Sequence, residues 1–218
     1  MTRASFDIGL KKLHEDILKM SSITAKQINE AVNSLNVRDL KLAKDVIKQD
    51  DIIDNMQKEI EEKCIKLIAM EQPLAKDLRE IFTTIKIVTD LERIADHAVD
   101  ISKVALYINE NKHKVNLNDI LKMSKIVQEM IALSIEAYVD WDVEKAYDIC
   151  KIDDEVDSIY KEVFKSLLEY MAKEPRDVTE TSQILFVSKH LERIGDYVTN
   201  ICEWTIYLIT GKFVDLND

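Results

Sequence analysis

Apolar residues recur at three- and four-residue steps along nearly the whole chain, which is the period of an amphipathic α-helix. The first such series begins near Leu10, and the sequence NSLN at 33–36 predicts a weak break at its end. A second series predicts a helix from about Val37 to about Met70. The pattern therefore indicates long helices that are separated by short reversals.

A third helix is predicted after the only proline of the first half. Pro73 favours a helix start, because proline fits the first turn of a helix and disrupts its interior. Asp77 and Glu80 have the spacing of a capping box, so we expect the helix to begin at Asp77 and to run to about Ile108. The polar segment 109–114 has no apolar period and predicts a connector.

The second half of the chain repeats the first. Two motifs recur at an offset of 103 residues, and a third recurs at an offset of 100 residues. Three matches in the same order indicate an internal duplication. The matching segments are DILKMS (16–21 and 119–124), KQDDIIDNMQKE with KIDDEVDSIYKE (48–59 and 151–162), and LERIAD with LERIGD (91–96 and 191–196).

The duplication predicts an all-α fold of six long helices in two tandem, pseudo-symmetric three-helix bundles. The repeats are assigned to residues 1–112 and 113–218, with the boundary in the polar connector. Reversals in the second copy are expected at 140–142 and 173–175. A three-helix unit of about 100 residues is large enough to bury a core.

Composition narrows the class of protein further. Three glycines and two prolines in 218 residues are too few for the turns of a β-sandwich, a barrel or a Rossmann fold. The net charge of −11 disfavours nucleic acid as a partner. No segment has the length and apolarity of a membrane span or a signal peptide. We therefore expect a cytoplasmic protein with reduced cysteines.

Two pairs of acidic residues fall among apolar positions when the helices are drawn at about 100° per residue. In the third helix, Glu92 and Asp96 lie within about 20° of Ile85. In the second helix, Asp50 and Asp54 fall within the apolar arc. We expect buried carboxylates, which must be neutralised by protons, cationic side chains or metal. The repeat regenerates the set as Asp153, Asp157, Glu192 and Asp196.

Besides protonation, metal binding and salt bridging can neutralise these acids. Oxygen ligands favour hard cations such as Mg²⁺, Mn²⁺, Ca²⁺ or iron, whereas zinc more often takes His or Cys. Four carboxylates exceed what one ion needs, which favours a cluster of several ions. The alternative is salt bridging to basic residues that recur in register. These residues are Arg93, Arg193, Lys58 and Lys161.

The motifs resemble those of the PhoU family over about residues 10–210. The matching segments are QPLAKDLR (72–79), the DDxxD segments (50–54 and 153–157) and the repeated LERI(A/G)D (91–96 and 191–196). The resemblance implies a cytoplasmic protein of six helices in two three-helix bundles. It also implies a negative regulator of phosphate uptake and of the phosphate-starvation response. Some members of the family bind metal clusters through their E(D)xxxD motifs.

The resemblance implies two metal sites and several ligands. One site would consist of Asp50, Asp54, Glu92 and Asp96, and the other of Asp153, Asp157, Glu192 and Asp196. The family often has asparagine four residues beyond the motif aspartate, where this chain has Asp100 and Asn200. Asp100 would add a fifth carboxylate to the first site. The implied ions are iron, manganese, magnesium or zinc.

The resemblance also implies partners and a mechanism. The chain would link the ATPase subunit of a phosphate ABC transporter to a membrane-bound sensor histidine kinase. It would act as a scaffold and not as an enzyme, and we expect it to form a homodimer. Bound cations would neutralise the acidic clusters and set the surface that is presented to partners.

Other functional assignments are weaker. The family often has histidine directly after the motif, which here is His97 in the first copy and Tyr197 in the second. We interpret His97 and His190 as capping, packing or surface residues rather than ligands. No constellation of a catalytic nucleophile is found. One alternative is a carboxylate-bridged di-iron or di-manganese enzyme, whose Glu-x-x-His motif occurs once in this chain, at Glu110–His113. The other alternative is a PhoU-domain paralogue that regulates a different transporter.

Overall fold

Helices account for nearly all of the described chain. The computed structural model describes residues 3–71, 73–108 and 115–216, and no strand occurs in these ranges. The six long helices are α1 (Arg3–Val37), α2 (Leu40–Glu71), α3 (Ala75–Ile108), α4 (Asn118–Asp140), α5 (Val143–Lys173) and α6 (Val178–Thr210). A 3₁₀ turn at Pro175–Asp177 precedes α6. The predicted all-α, six-helix fold is confirmed.

The two repeats match helix by helix, α1 with α4, α2 with α5 and α3 with α6. The predicted division between residues 112 and 113 lies outside the described residues, so it stays a prediction. No helix in the described ranges combines the length and the apolarity that crossing a membrane requires.

The first helix of each repeat ends in the same way, at a residue with a left-handed backbone that is followed by an aspartate. Arg38 and Trp141, which are equivalent, both adopt a left-handed backbone with φ of 58°. The next residue, Asp39 or Asp142, accepts backbone N–H groups of the following helix at 2.9 Å, as an N-cap does. The predicted break at 33–36 is therefore wrong by a few residues, because the left-handed residue and its cap set the reversal.

The start of α3 also differs slightly from the prediction. The helix begins at Ala75, and Asp77 lies inside its first turn. The Asp77 carboxylate accepts a hydrogen bond from the Leu74 N–H at 3.1 Å. In a capping box, the side chain of the third helical residue makes this bond to the N-cap residue. Proline at 73 precedes the helix, as the sequence predicts.

Helices α3 and α6 pack against each other at the centre of the molecule. Each also contacts the other two helices of its own repeat, and α1 packs against α4. The buried apolar residues of both repeats form one continuous cluster, so the two bundles share a core. A buried hydrogen bond of 2.7 Å between the hydroxyls of Thr84 and Tyr138 joins α3 to α4 within it. The LERI(A/G)D motifs lie on the two central helices.

Candidate metal centre

The first set of predicted acids comes together where α2 lies beside α3. Asp50 and Asp54 are one turn apart on α2, and Glu92 and Asp96 are one turn apart on α3. Partial burial and the charges of Asp96 and Asp54 raise the pKa of Asp50 to about 6. Burial, together with the charges of the other three acids, also raises the pKa of Glu92. We call these four residues the first carboxylate cluster.

The second set meets in the same way between α5 and α6. Burial, followed by the charges of Asp196 and Asp157, raises the pKa of Asp153 from 3.8 to about 7. Burial and the charge of Glu192 raise the pKa of Asp196. We call Asp153, Asp157, Glu192 and Asp196 the second carboxylate cluster. Both predicted groupings therefore form, whereas their role as metal ligands stays a prediction.

The acids are less buried than predicted. Seven of the eight are half-buried, and Asp96 is exposed. We call the contact between α2 and α3, and the equivalent contact between α5 and α6, the seam of each repeat. The interior of each seam is filled by apolar residues, such as Ile53 on α2 and Leu91 on α3, which have no exposed surface. The carboxylates consequently lie along the rim of the seam, where an ion in solution has access to them.

Salt bridges neutralise the two clusters unequally. Among the described residues, no ion pair reaches Asp50, Asp54, Glu92 or Asp96, and Arg93 instead lies 3.5 Å from Asp90. In the second cluster, Lys161 lies 3.4 Å from Asp157. Lys189 pairs with Glu192 at 2.5 Å. The salt-bridge alternative thus accounts for part of the second cluster and leaves the first without a paired cation.

Gly195 explains why the second motif reads LERIGD. A Cβ at this position would collide with Oδ1 of Asp153, so glycine allows the carboxylate to approach α6 closely. Oδ1 of Asp153 is buried without a hydrogen-bond partner, while Oδ2 accepts from the Thr199 hydroxyl at 3.4 Å. A buried carboxylate oxygen without a donor fits a cation ligand.

Asp100 and Asn200 lie one turn beyond the motif aspartates, on α3 and α6, and both are half-buried. Burial, followed by the charge of Asp100, raises the pKa of Asp96, so Asp100 borders the first cluster, whereas its role as a ligand stays a prediction. Asp100 also pairs with Lys103 at 2.8 Å, so it is not committed to the cluster alone.

The tightest grouping of potential ligands joins residues of both repeats and was not predicted from the sequence. Within the described ranges, only His97, Asp100 and His190 bring three ligand atoms within 4.8 Å of one another. The oxygens of the carboxylate clusters are spaced more widely, so three of them would ligate a single ion only after side-chain rotation. One feature of the sequence could have pointed to this grouping. His97 and His190 are both replaced in the other repeat, by Tyr197 and Asp90.

The fold and the site together define a class of all-helical, tandem-repeat proteins with a carboxylate cluster on the seam of each repeat. A family model described as "PhoU domain" matches residues 17–105 and again residues 120–205. The chain belongs to the PhoU domain family.

Relatives match over nearly the whole chain. A protein of Clostridium acetobutylicum named "Phosphate-specific transport system accessory protein PhoU homolog" is 53% identical over 100% of both chains. An Aquifex aeolicus protein of the same name is 38% identical, covering 94% of this chain and 93% of its own. The crystal structure of PhoU from Pseudomonas aeruginosa matches with a TM-score of 0.90 and 34% identity, covering 95% of this chain and 100% of that one.

The raised pKa of Asp153 predicts a pH-dependent cost to stability. Between pH 4 and 7 the native state keeps a proton that the unfolded state releases, so stability falls as the pH rises through this window. Asn at this position cannot ionise. In chelator at pH 8, the Asp153→Asn variant should melt at least about 2 °C above the wild type, and the gap should shrink towards pH 5.

The matched control is Asp154→Asn, which removes an exposed acid directly beside the cluster residue. Its melting temperature should follow that of the wild type at both pH values. A gap for Asp153→Asn that is the same at pH 5 and pH 8 would contradict the assignment.

Proposed function

We propose that the chain is a non-enzymatic regulator of phosphate uptake and of phosphate-starvation signalling, and that it binds metal ions through its two carboxylate clusters. The observation that carries the proposal is the recurrence of a four-carboxylate cluster in both repeats of a chain that matches phosphate-transport accessory proteins over its full length. A negative regulator needs no catalytic constellation, and its functional surfaces are those that bind ions and partners.

Like-charge repulsion is what makes metal binding favourable at these clusters. In the first cluster, burial and then the charges of neighbouring members raise the pKa values of Asp50 and Glu92. In the second cluster, the same two causes raise the pKa values of Asp153 and Asp196. A bound cation would relieve the repulsion between these ionised groups. The ligands are carboxylate oxygens, which suit magnesium, manganese and iron better than zinc. The bound ion would supply positive charge. The chain would supply ligands from two helices, so that the ion would also hold those helices together.

The first cluster is the stronger candidate of the two. None of its four acids pairs with a basic side chain among the described residues. The second cluster already has Lys161 and Lys189 at its edge, on exposed or half-exposed side chains that can move aside. The unpartnered Oδ1 of Asp153 supports a cation there as well.

The proposed partners are proteins of the phosphate-uptake system. The relatives' names describe accessory proteins of a phosphate-specific transport system. We propose that the chain contacts the ATPase subunit of a phosphate ABC transporter and a sensor histidine kinase, and that it reaches the membrane only through them. The clusters lie on the rims of their seams, so ion binding would change the charge of surfaces that partners touch. The predicted cytoplasmic location and homodimer stay predictions.

Ion binding is tested with Mn²⁺, whose free concentration is measured by electron paramagnetic resonance. The double variant Asp54→Asn/Asp157→Asn removes one acid from each cluster. We expect the wild type to bind Mn²⁺ and the variant to bind it at least about tenfold more weakly, because losing even an indirect ligand contact costs about 10–100-fold.

The control is Asp51→Asn/Asp154→Asn, which removes the same charge from two exposed, repeat-equivalent positions outside the clusters. It should bind Mn²⁺ within about twofold of the wild type, since exposed charges contribute little. Equal loss in both variants would show that net charge, and not the clusters, holds the ion.

The partner assignment is tested by capturing the tagged chain from phosphate-replete and phosphate-starved cells of its own organism. Mass spectrometry should identify the phosphate-transporter ATPase and a sensor kinase in the replete sample. The Asp54→Asn/Asp157→Asn variant should recover less of both than the Asp51→Asn/Asp154→Asn control.

Other results would point to the alternatives. Recovery of the ATPase of another transporter would favour a paralogue with a different target. Recovery of neither partner, together with oxygen consumption on addition of ferrous iron, would favour a di-iron enzyme. The Glu110–His113 motif of that alternative lies outside the described residues.

A further inference from the structure

Two histidines from different repeats meet where α3 packs against α6. Nδ1 of His97 lies 3.0 Å from Nδ1 of His190, and the ring centroids are 5.1 Å apart. Both residues are half-buried. Nε2 of His97 is buried and has no hydrogen-bond partner, which is uncommon for a buried polar atom. One carboxylate oxygen of Asp100 lies within 4.8 Å of a nitrogen of each ring.

The repeat shows that this arrangement is specific to one side of the α3–α6 contact. The positions equivalent to His190, His97 and Asp100 are Asp90, Tyr197 and Asn200. On that side, Arg93 lies 3.5 Å from the Asp90 carboxylate and 5.7 Å from the Tyr197 ring. Arg93 thus pairs with a carboxylate in that group, whereas the other group presents two imidazoles and a carboxylate, with the equivalent Arg193 close enough to act electrostatically on both rings.

The contact between the rings shows that a lone pair is present at the site. A hydrogen bond between two Nδ1 atoms needs an unprotonated acceptor, so at least one of the two rings is neutral. A cation that takes the place of the shared proton would be bound by the Nδ1 lone pairs of both rings, as histidine binds metal ions.

We propose that His97, Asp100 and His190 form a site for a transition-metal ion, Zn²⁺ above all, that joins the first repeat to the second. Two imidazoles with one carboxylate are a donor set that suits zinc, nickel, copper or iron, and it differs from the oxygen-only carboxylate clusters. This site does not depend on the proposed function, so a test of the site does not require that the carboxylate clusters bind metal.

The geometry accommodates such an ion with small movements. Two bonds of about 2.05 Å to nitrogens that are 3.0 Å apart would subtend an angle of roughly 94°. This angle is near octahedral, and rotation of either ring widens it towards the tetrahedral value. Lys103, which pairs with Asp100 at 2.8 Å, has a largely exposed side chain that can move away and release the carboxylate.

The competing interpretation is a hydrogen bond between the two rings without any metal ion, with Asp100 paired only to Lys103.

Full-length protein should be titrated with Zn²⁺ in excess Mg²⁺, so that Mg²⁺ occupies the carboxylate clusters. The readouts are Zn²⁺ affinity, from competition with a chromophoric chelator, and the ¹⁵N shifts of the imidazole nitrogens.

We expect one equivalent of Zn²⁺ to bind in the presence of Mg²⁺ and to shift ring nitrogens of His97 and His190. His190→Gln keeps an amide that can bond to His97, and it should weaken Zn²⁺ at least about tenfold. Asp100→Asn leaves the contact between the rings intact and should also weaken Zn²⁺. Asp90→Asn is the control at the equivalent position on the other side and should bind as the wild type does.

Three results would overturn the proposal. The first is no Zn²⁺ bound in excess Mg²⁺. The second is bound Zn²⁺ that leaves the nitrogens of both rings unshifted. The third is an equal loss of affinity in Asp90→Asn and His190→Gln. Retention of this Zn²⁺ equivalent by Asp54→Asn/Asp157→Asn would show that it is independent of the carboxylate clusters.

Discussion

The packing of α3 against α6 is the interaction on which the rest of the molecule depends. Each of them touches both companions in its own repeat, and the contact between them is the most extensive that any two helices of the described residues make. The apolar residues of LERI(A/G)D, such as Leu91 and Leu191, are fully buried in the shared core. The same motif places its apolar residues in the core and its acids at the rim of the seam. The packing of the core therefore determines the positions of the carboxylates.

The second constraint is electrostatic and follows from the first. Once α2 and α5 pack against the central helices, the two DDxxD segments bring their aspartates beside those of the central motifs. The result is two groups of like charge, in which the pKa values of Asp50 and Asp153 rise, and in the described part of the chain only the second group forms ion pairs. Such clusters disfavour the folded state unless protons or cations occupy them, so they couple ion binding to the stability of the helix seams.

The helices and the two acidic groupings could be predicted from sequence because both are periodic. Apolar spacing fixes which face of a helix turns inward, and the duplication showed which acids belong together. Angular position alone does not distinguish the rim of a seam from its interior, and so the burial of Asp96 was overestimated. The end of α1 was misplaced because it depends on the left-handed backbone of Arg38, for which the side chain gives no signal.

The meeting of His97 and His190 was beyond sequence reasoning for a different reason. The two residues are 93 positions apart, and they belong to non-equivalent places in the two repeats. They come together because α3 packs against α6. The duplication predicts contacts within each repeat, because those recur. It does not predict contacts across the interface between repeats, where the two copies have diverged.

Whether the two carboxylate clusters hold cations is tested most directly by anomalous X-ray diffraction from crystals of the protein grown with Mn²⁺, because the signal locates each ion independently of its assumed ligands. We expect anomalous peaks within bonding distance of Asp54 and Glu92 in the first repeat and of Asp157 and Glu192 in the second. Crystals that contain Mn²⁺ but show no peak at either seam would contradict this expectation.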